Sequence, residues 1–129
     1  MRKLITAKTA GRIVLFFMYS LIFFHVCVLL GWIPEEIIWG GRMEKNSGNL
    51  VRMELISIAV TILFISIITA KIRNSKRKKL VTYGVWIIFA YMLLNTLGNF
   101  TSEHFFENSV LAPLTLIMSF FIFRLAIEK

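Results

Sequence analysis

The chain has 129 residues, of which 57% are hydrophobic, with a mean hydropathy of +0.75 and a net charge of +8. A soluble domain of this length buries only roughly 60–70% of the surface that its unfolded chain exposes, too little to hide so many apolar side chains. The composition therefore excludes a soluble globular domain and predicts an integral membrane protein. The basic residues lie between apolar segments rather than along one stripe, so we interpret them as topology signals and expect no nucleic-acid partner.

Four apolar segments are long enough to cross the roughly 30 Å hydrocarbon core as helices, which takes about 20 residues. None alternates polar and apolar residues as the strands of a membrane β-barrel do. The first segment is longer than a signal-peptide core and lacks a small-residue cleavage site, so we expect it to be retained. The sequence predicts one all-α domain over 1–129, a four-helix transmembrane bundle with sequential helices as neighbours. The predicted spans are about 13–32, 50–70, 80–98 and 110–127.

The charges predict the orientation of this bundle. Most of the basic residues fall at the two chain ends and between the second and third spans: Arg2, Lys3, Lys8, Arg12, Lys71, Arg73, Lys76, Arg77, Lys78, Lys79, Arg124 and Lys129. Most acids fall on the other side: Glu35, Glu36, Glu44, Glu54, Glu103 and Glu107. By the positive-inside rule we expect a multi-pass plasma-membrane protein with both termini in the cytoplasm. Arg124, in the last turns of the fourth span, is expected to snorkel to the inner interface.

The first two spans each carry a titratable residue in their predicted outer half. His25 lies about seven residues, or roughly 10 Å, below the outer end of span one. Span two has only 16 uncharged residues, Leu55–Ala70, so a full crossing includes Glu54. A charge at mid-depth costs about 2.5–3.5 kcal/mol, so Glu54 needs a shallow position or a partner. Arg52 points to another face, and Gly40 with Gly41 supplies a turn that would return Arg42 to Glu54.

Span three adds two amides, because Tyr91, Asn95, Gly98 and Asn99 share a helix face near its outer end. We predict that these helix faces point into the bundle. They would then form a polar pocket, open to the outer side of the membrane, from His25, Arg42, Glu54, Asn95 and Asn99. Such a pocket would bind a small ligand or ion, and histidine's ordinary titration range adds a proton relay to the candidates. The alternative interpretation is purely structural, with the same side chains hydrogen-bonding neighbouring helices.

Catalytic and cofactor motifs are not evident in the sequence. It contains no HExxH, GxSxG or glycine-rich phosphate loop, and its single cysteine, Cys27, excludes an intrachain disulfide and a multi-cysteine metal site. We therefore expect no enzyme activity, no cofactor and no metal. The expected function is that of a small transporter, sensor or accessory subunit. The alternative is an interaction protein without a ligand. The expected partners are the lipid bilayer and either further copies of the chain or another membrane protein.

Overall fold

The structure is a computed structural model that describes residues 5–34, 48–73 and 78–128. The described residues form four long helices and one short π-helical segment, without a strand among them. The helices are α1 (Ala7–Leu29), α2 (Gly48–Ile72), α3 (Lys78–Phe100) and α4 (Ala112–Ala126), with the π-helical segment Glu107–Leu111 leading into α4. By length and composition, α1, α2, α3 and the continuous helix Glu107–Ala126 can each cross a membrane. The predicted all-α fold is therefore confirmed, with four helices that are long and apolar enough to span a membrane.

The helices extend further than the apolar segments that predict them. Helix α1 begins six residues before its predicted span, because the Thr6 hydroxyl accepts a 3.1 Å hydrogen bond from the Thr9 N–H and caps the helix. It ends at Leu29, before the predicted limit, where Gly31 takes a positive φ of 72° that few other residues adopt. Hydropathy marks the lipid-facing part of a helix, whereas caps and turns set its ends.

The π-helical segment is explained by Pro113, which lies in the first turn of α4. Proline lacks an N–H, and its ring clashes with the carbonyl four residues earlier, so a regular α-helix cannot run undisturbed through this position. Just before Pro113, the Ala112 N–H instead bonds the Glu107 carbonyl five residues back. The wider turn lets the fourth helix begin at Glu107, earlier than predicted, and still reach Ala126.

The helices form a closed ring in which α1 contacts α2 and α4, and α3 contacts the same two helices. Sequential helices are therefore neighbours, as their short connections predict. The interior is filled by apolar side chains from all four helices: Val14, Met18, Phe64, Ile68, Val85, Ile88, Met92, Ile122, Leu125 and Ala126. A Cβ built on Gly11 would lie 2.6 Å from Ile72 Cδ1, so α1 and α2 approach closely at this point.

The outer faces of the helices are also apolar, as expected for a bundle surrounded by lipid. Large exposed side chains occur on every helix, among them Phe16, Phe23, Ile62, Leu63, Ile87, Leu94, Ile117 and Phe120. The Arg124 Nε donates to the Ile5 carbonyl, which places the start of α1 beside the end of α4. Lys71, near the end of α2, donates to Thr82 near the start of α3 and to the Glu128 carbonyl after α4, so all four of these helix ends lie at one end of the bundle. We call this the basic end, since Lys8, Lys71, Lys78 and Arg124 lie there, and we call the other the opposite end.

Candidate functional site

A buried histidine–glutamate pair joins α1 to α2 near the opposite end. His25 Nδ1 lies 2.5 Å from Glu54 Oε2, and the two side chains are 12% and 1% exposed. By helix rise, His25 is about 6 Å from the end of α1, and Glu54 is about 9 Å from the start of α2. The pair therefore lies within the bundle but closer to one of its ends.

Helical periodicity explains why the two side chains meet. Glu54 belongs to the buried face of α2, whose other members are Leu50, Thr61, Phe64 and Ile68. On α1, His25 lies between Met18 and Val28 along the face that also turns inward. Because α1 and α2 are neighbours, these two faces oppose each other and bring the imidazole to the carboxylate.

Apolar residues separate the pair from both ends of the bundle. Toward the opposite end, Val28 and Leu50 form a buried cluster against which Phe24 and Ile33 pack. The Phe24 ring also lies edge-on to the imidazole, with ring centres 5.8 Å apart. Toward the basic end lies the apolar core that contains Met18. The sequence predicts a pocket open to the outside. Among the described residues, the apolar side chains of Val28 and Leu50, one turn beyond the pair on each helix, pack together on that side, and the loop predicted to cover the pocket lies outside the described residues.

The chemistry of this arrangement is that of a shared proton. When the pair holds one proton, it is a histidinium–carboxylate ion pair or a neutral hydrogen-bonded pair, and its net charge is zero in both forms. Adding a second proton makes the pair +1, and removing the only proton makes it −1. A net charge inside a membrane protein is costly unless a further charge or hydrogen bond compensates it.

Two of the other predicted pocket residues lie elsewhere on α3. Asn95 is exposed on the outer surface of the helix, and the buried face of α3 is formed instead by Val85, Ile88, Met92 and Thr96. Asn99 is half-buried near the end of α3, where its carbonyl accepts a hydrogen bond from the Ser102 N–H. Arg42, the predicted partner of Glu54, lies outside the described residues. The structure thus brings together His25 and Glu54 from the predicted set and leaves Asn95 facing outward.

A second buried carboxylate at the opposite end was missed by the sequence analysis. Glu107 is 9% exposed and accepts a hydrogen bond from the Ser102 hydroxyl, which itself accepts from the His104 N–H. The Asn108 amide donates to the Phe100 carbonyl at 2.6 Å and closes the same turn. The signal in the sequence was a serine five residues before a glutamate that itself lies six residues before Pro113, a pattern too common to single out.

The basic end has its own polar network, also missed. Lys71 Nζ donates to Thr82 Oγ1 at 2.9 Å and to the Glu128 carbonyl at 2.6 Å. Arg124, only 6% exposed, donates to the Ile5 carbonyl at 2.9 Å and to the Glu128 carboxylate at 2.8 Å. Arg124 was expected to snorkel to the interface. In the structure its side chain is buried and links α4 to Ile5, before α1, and to Glu128, after α4. Only the i, i+4 spacing of Arg124 and Glu128 was readable in advance.

The described residues satisfy their buried polar atoms and hold no cluster suited to a metal. Every buried side-chain nitrogen or oxygen among them has a hydrogen-bond partner. Within the same part of the chain, no group of three His, Cys, Asp or Glu side chains could hold a metal ion. No protein-family model, no curated protein and no solved structure matches the chain. Arguments about function therefore start from the His25–Glu54 pair.

Proposed function

We propose that this protein is a multi-pass plasma-membrane protein that senses protons on the extracytoplasmic side through the His25–Glu54 pair. The observation that carries the proposal is the 2.5 Å contact between two titratable side chains that are almost completely buried. Buried ionisable groups in membrane helices are rare and commonly functional, because lipid offers them no hydrogen-bond partners. The number of protons that the pair holds determines the net charge of these two side chains taken together.

The side of the membrane follows from the distribution of charge. Lysine and arginine residues are concentrated at the basic end, and the positive-inside rule assigns such an end to the cytoplasm. Both termini are then cytoplasmic, and the opposite end, with the pair about 6–9 Å inside it, faces outward. An exposed Trp32 beyond the end of α1 suits the aromatic belt of the outer interface.

Sensing is better supported than transport through a single copy. Between the pair and the basic end lies the apolar main core, which includes Met18, Phe64 and Ile88. The hydroxyls of Thr61 and Ser119 are buried at this level, but each donates to a carbonyl of its own helix and they do not by themselves form the continuous polar chain that proton transfer needs. We therefore infer that protons reach the pair by local opening of the α1–α2 contact at the nearer end, without conduction across the membrane.

The reactivity of Cys27 provides a direct test, because this buried thiol lies two residues from His25 on α1. We expect its rate of labelling by a maleimide, divided by the rate in the unfolded protein at the same pH, to be lowest where the pair holds one proton. The ratio rises on acidification, when the pair becomes +1, and again at alkaline pH, when the pair becomes −1. Each net charge weakens the contact between α1 and α2.

Two variants distinguish the acidic rise of the labelling ratio from its alkaline rise. Glu54→Gln leaves a site that is neutral without a proton and +1 with one, so only the acidic rise should remain. His25→Gln leaves a site that is −1 without a proton and neutral with one, so only the alkaline rise should remain. Glu103→Gln, at an exposed acid of the same end, is the matched control and should keep both rises. A ratio independent of pH in the unmodified protein would contradict the proposal.

Titratable groups on the neighbouring elements must be accounted for in the same experiment. Among the described residues at the opposite end, and besides the control residue Glu103, these are the exposed Arg52 on α2, the half-buried His104 after α3, and the buried Glu107 before α4. Arg52 keeps its charge throughout, and His104→Gln and Glu107→Gln identify any contribution from the other two. The proposal requires both rises to persist in these two variants.

A second candidate function, an interaction subunit that contacts another copy or another membrane protein, is favoured by the exposed face of α3. Asn95 presents an amide outward, and nothing lies within 4 Å of a Cβ built on Gly98, one turn further along. Small residues and amides are typical of contacts between membrane helices. If this face binds a second copy, Asn95→Leu should lower the mass of the complex in detergent. An unchanged mass would contradict self-association through this face.

A further inference from the structure

We propose that a groove at the start of α3 binds the headgroup of an anionic phospholipid. The groove has a volume of about 400 Å³ and is open to the surroundings on one side. It is lined by Lys78, Lys79, Thr82, Tyr83 and Trp86. It lies at the basic end, far from the His25–Glu54 pair, and the inference does not depend on proton sensing.

The groove offers hydrogen-bond donors to its occupant, and no carboxylate is among the described residues that line it. Each lysine ammonium has three N–H donors and no acceptor, and the Trp86 indole has a donor only. The Thr82 hydroxyl oxygen already accepts from Lys71 Nζ at 2.9 Å, which leaves its own O–H to be donated. Tyr83, with 68% of its surface exposed, adds a second hydroxyl. Such a lining suits the oxygens of a phosphodiester and not a cation.

Electrostatics favours the same occupant. Lys71 lies beside the groove through its bond to Thr82, where the Glu128 carboxylate acts on it as an opposite charge and Lys78 as a like charge. That carboxylate is also bound to Arg124, and the Glu128 carbonyl binds Lys71. The ammonium groups of Lys78 and Lys79 line the groove itself, and an anion bound there would reduce the repulsion between them.

The position of the groove along α3 identifies a lipid as the source of the phosphate. Tyr83 and Trp86 are exposed aromatic residues near the end of a membrane-spanning helix, the level at which aromatic belts contact headgroups. Just beyond them on the same helix, Ile87 is 67% exposed and faces the hydrocarbon. A phospholipid can therefore place its phosphate against the lysines and its acyl chains along the apolar side chains, which a free phosphate ion cannot do.

The experiment is a titration of the full chain in detergent with short-chain phosphatidylglycerol, with bound lipid counted by native mass spectrometry. The test variant replaces Lys78 and Lys79 with glutamine. The matched control replaces Lys8 and Arg12 with glutamine, because both are exposed on α1 at the same end and the loss of charge is equal. Phosphatidylcholine and inorganic phosphate are the comparison ligands.

Each lysine near an anionic lipid surface contributes roughly a five-fold preference, so the test variant should bind phosphatidylglycerol about thirty-fold more weakly. The control should bind as the unmodified protein does, and phosphatidylcholine should bind weakly to all three. Equal loss in test and control variants would overturn the proposal, since it would indicate a diffuse charge effect. Displacement of the lipid by millimolar inorganic phosphate would also overturn it, in favour of a free-anion site. Lys79→Gln alone, at an exposed side chain, gives a five-fold test should the double variant fail to fold.

Discussion

The two ends of the bundle bury charged groups in different ways. At the opposite end, one carboxylate meets one imidazole between adjacent helices, and both groups can gain or lose a proton. At the basic end, Lys71 and Arg124 donate to the carbonyls of Glu128 and Ile5. Backbone carbonyls do not titrate, and arginine keeps its proton at all physiological pH values. We propose that the opposite end responds to pH through its buried pair, whereas the bond from Arg124 to the Ile5 carbonyl at the basic end joins two groups that do not titrate near neutral pH.

The largest expected effect comes from breaking the pair at the opposite end. Glu54→Ala removes the partner of a buried imidazole and should lower the free energy of unfolding by about 3–5 kcal/mol near neutral pH. Reversible unfolding in mixed micelles measures this change. The control Glu103→Ala removes an exposed acid of the same end and should change stability by less than about 0.5 kcal/mol. Similar values for the two variants would contradict a stabilising role for the pair.

A smaller effect is expected from Arg124→Ala at the basic end. The variant loses the bonds to the Ile5 carbonyl and the Glu128 carboxylate, but Glu128 is 45% exposed and regains water. We expect a loss of about 1.5–3 kcal/mol, typical of hydrogen bonds to a charged group. Measured at several pH values around neutrality, this loss should stay constant, unlike that of Glu54→Ala. A strong pH dependence of the stability loss in Arg124→Ala would contradict the proposed difference between the two ends of the bundle.

The smallest effects come from two glycines, one at each end. A Cβ at Gly11 would lie 2.6 Å and 2.7 Å from two atoms of the Ile72 side chain, so Gly11→Ala should displace that side chain and cost about 1–3 kcal/mol. A Cβ at Gly98 would have nothing within 4 Å, so Gly98→Ala should be neutral or stabilise the helix by up to about 1 kcal/mol. Equal changes in the free energy of unfolding for Gly11→Ala and Gly98→Ala would contradict the close approach of α1 and α2 at Gly11.

The fold was predictable from the sequence because the membrane imposes length and hydropathy on every spanning helix. The faces of the helices were less predictable. On α3 the lipid-facing side is as apolar as the interior, so the polar stripe containing Asn95 was assigned inward, whereas the buried stripe contains Met92 and Thr96. A polar stripe does not by itself identify the buried face of a membrane helix.

The candidate site was predictable in part for a related reason. Span two is too short without Glu54, so the sequence requires a buried carboxylate, and the histidine at a similar depth follows from helix rise. The tie between Arg124 and the Ile5 carbonyl joins residues 119 positions apart through a backbone atom. No side-chain pattern encodes such a contact, so it could be found only in the folded structure.

The central claim is that His25 and Glu54 form one charge-neutral unit held by a shared proton, and a double-mutant cycle measures it most directly. His25→Gln, Glu54→Gln and the double variant, unfolded in the same micelles, give the coupling energy between the two side chains. At intermediate pH we predict a coupling above about 2 kcal/mol, beyond the roughly 1.7 kcal/mol upper value for hydrogen bonds between membrane helices, and a decrease at acidic and alkaline pH. A coupling of about 0.6 kcal/mol or less at every pH would reduce the pair to an ordinary contact between helices and contradict the account.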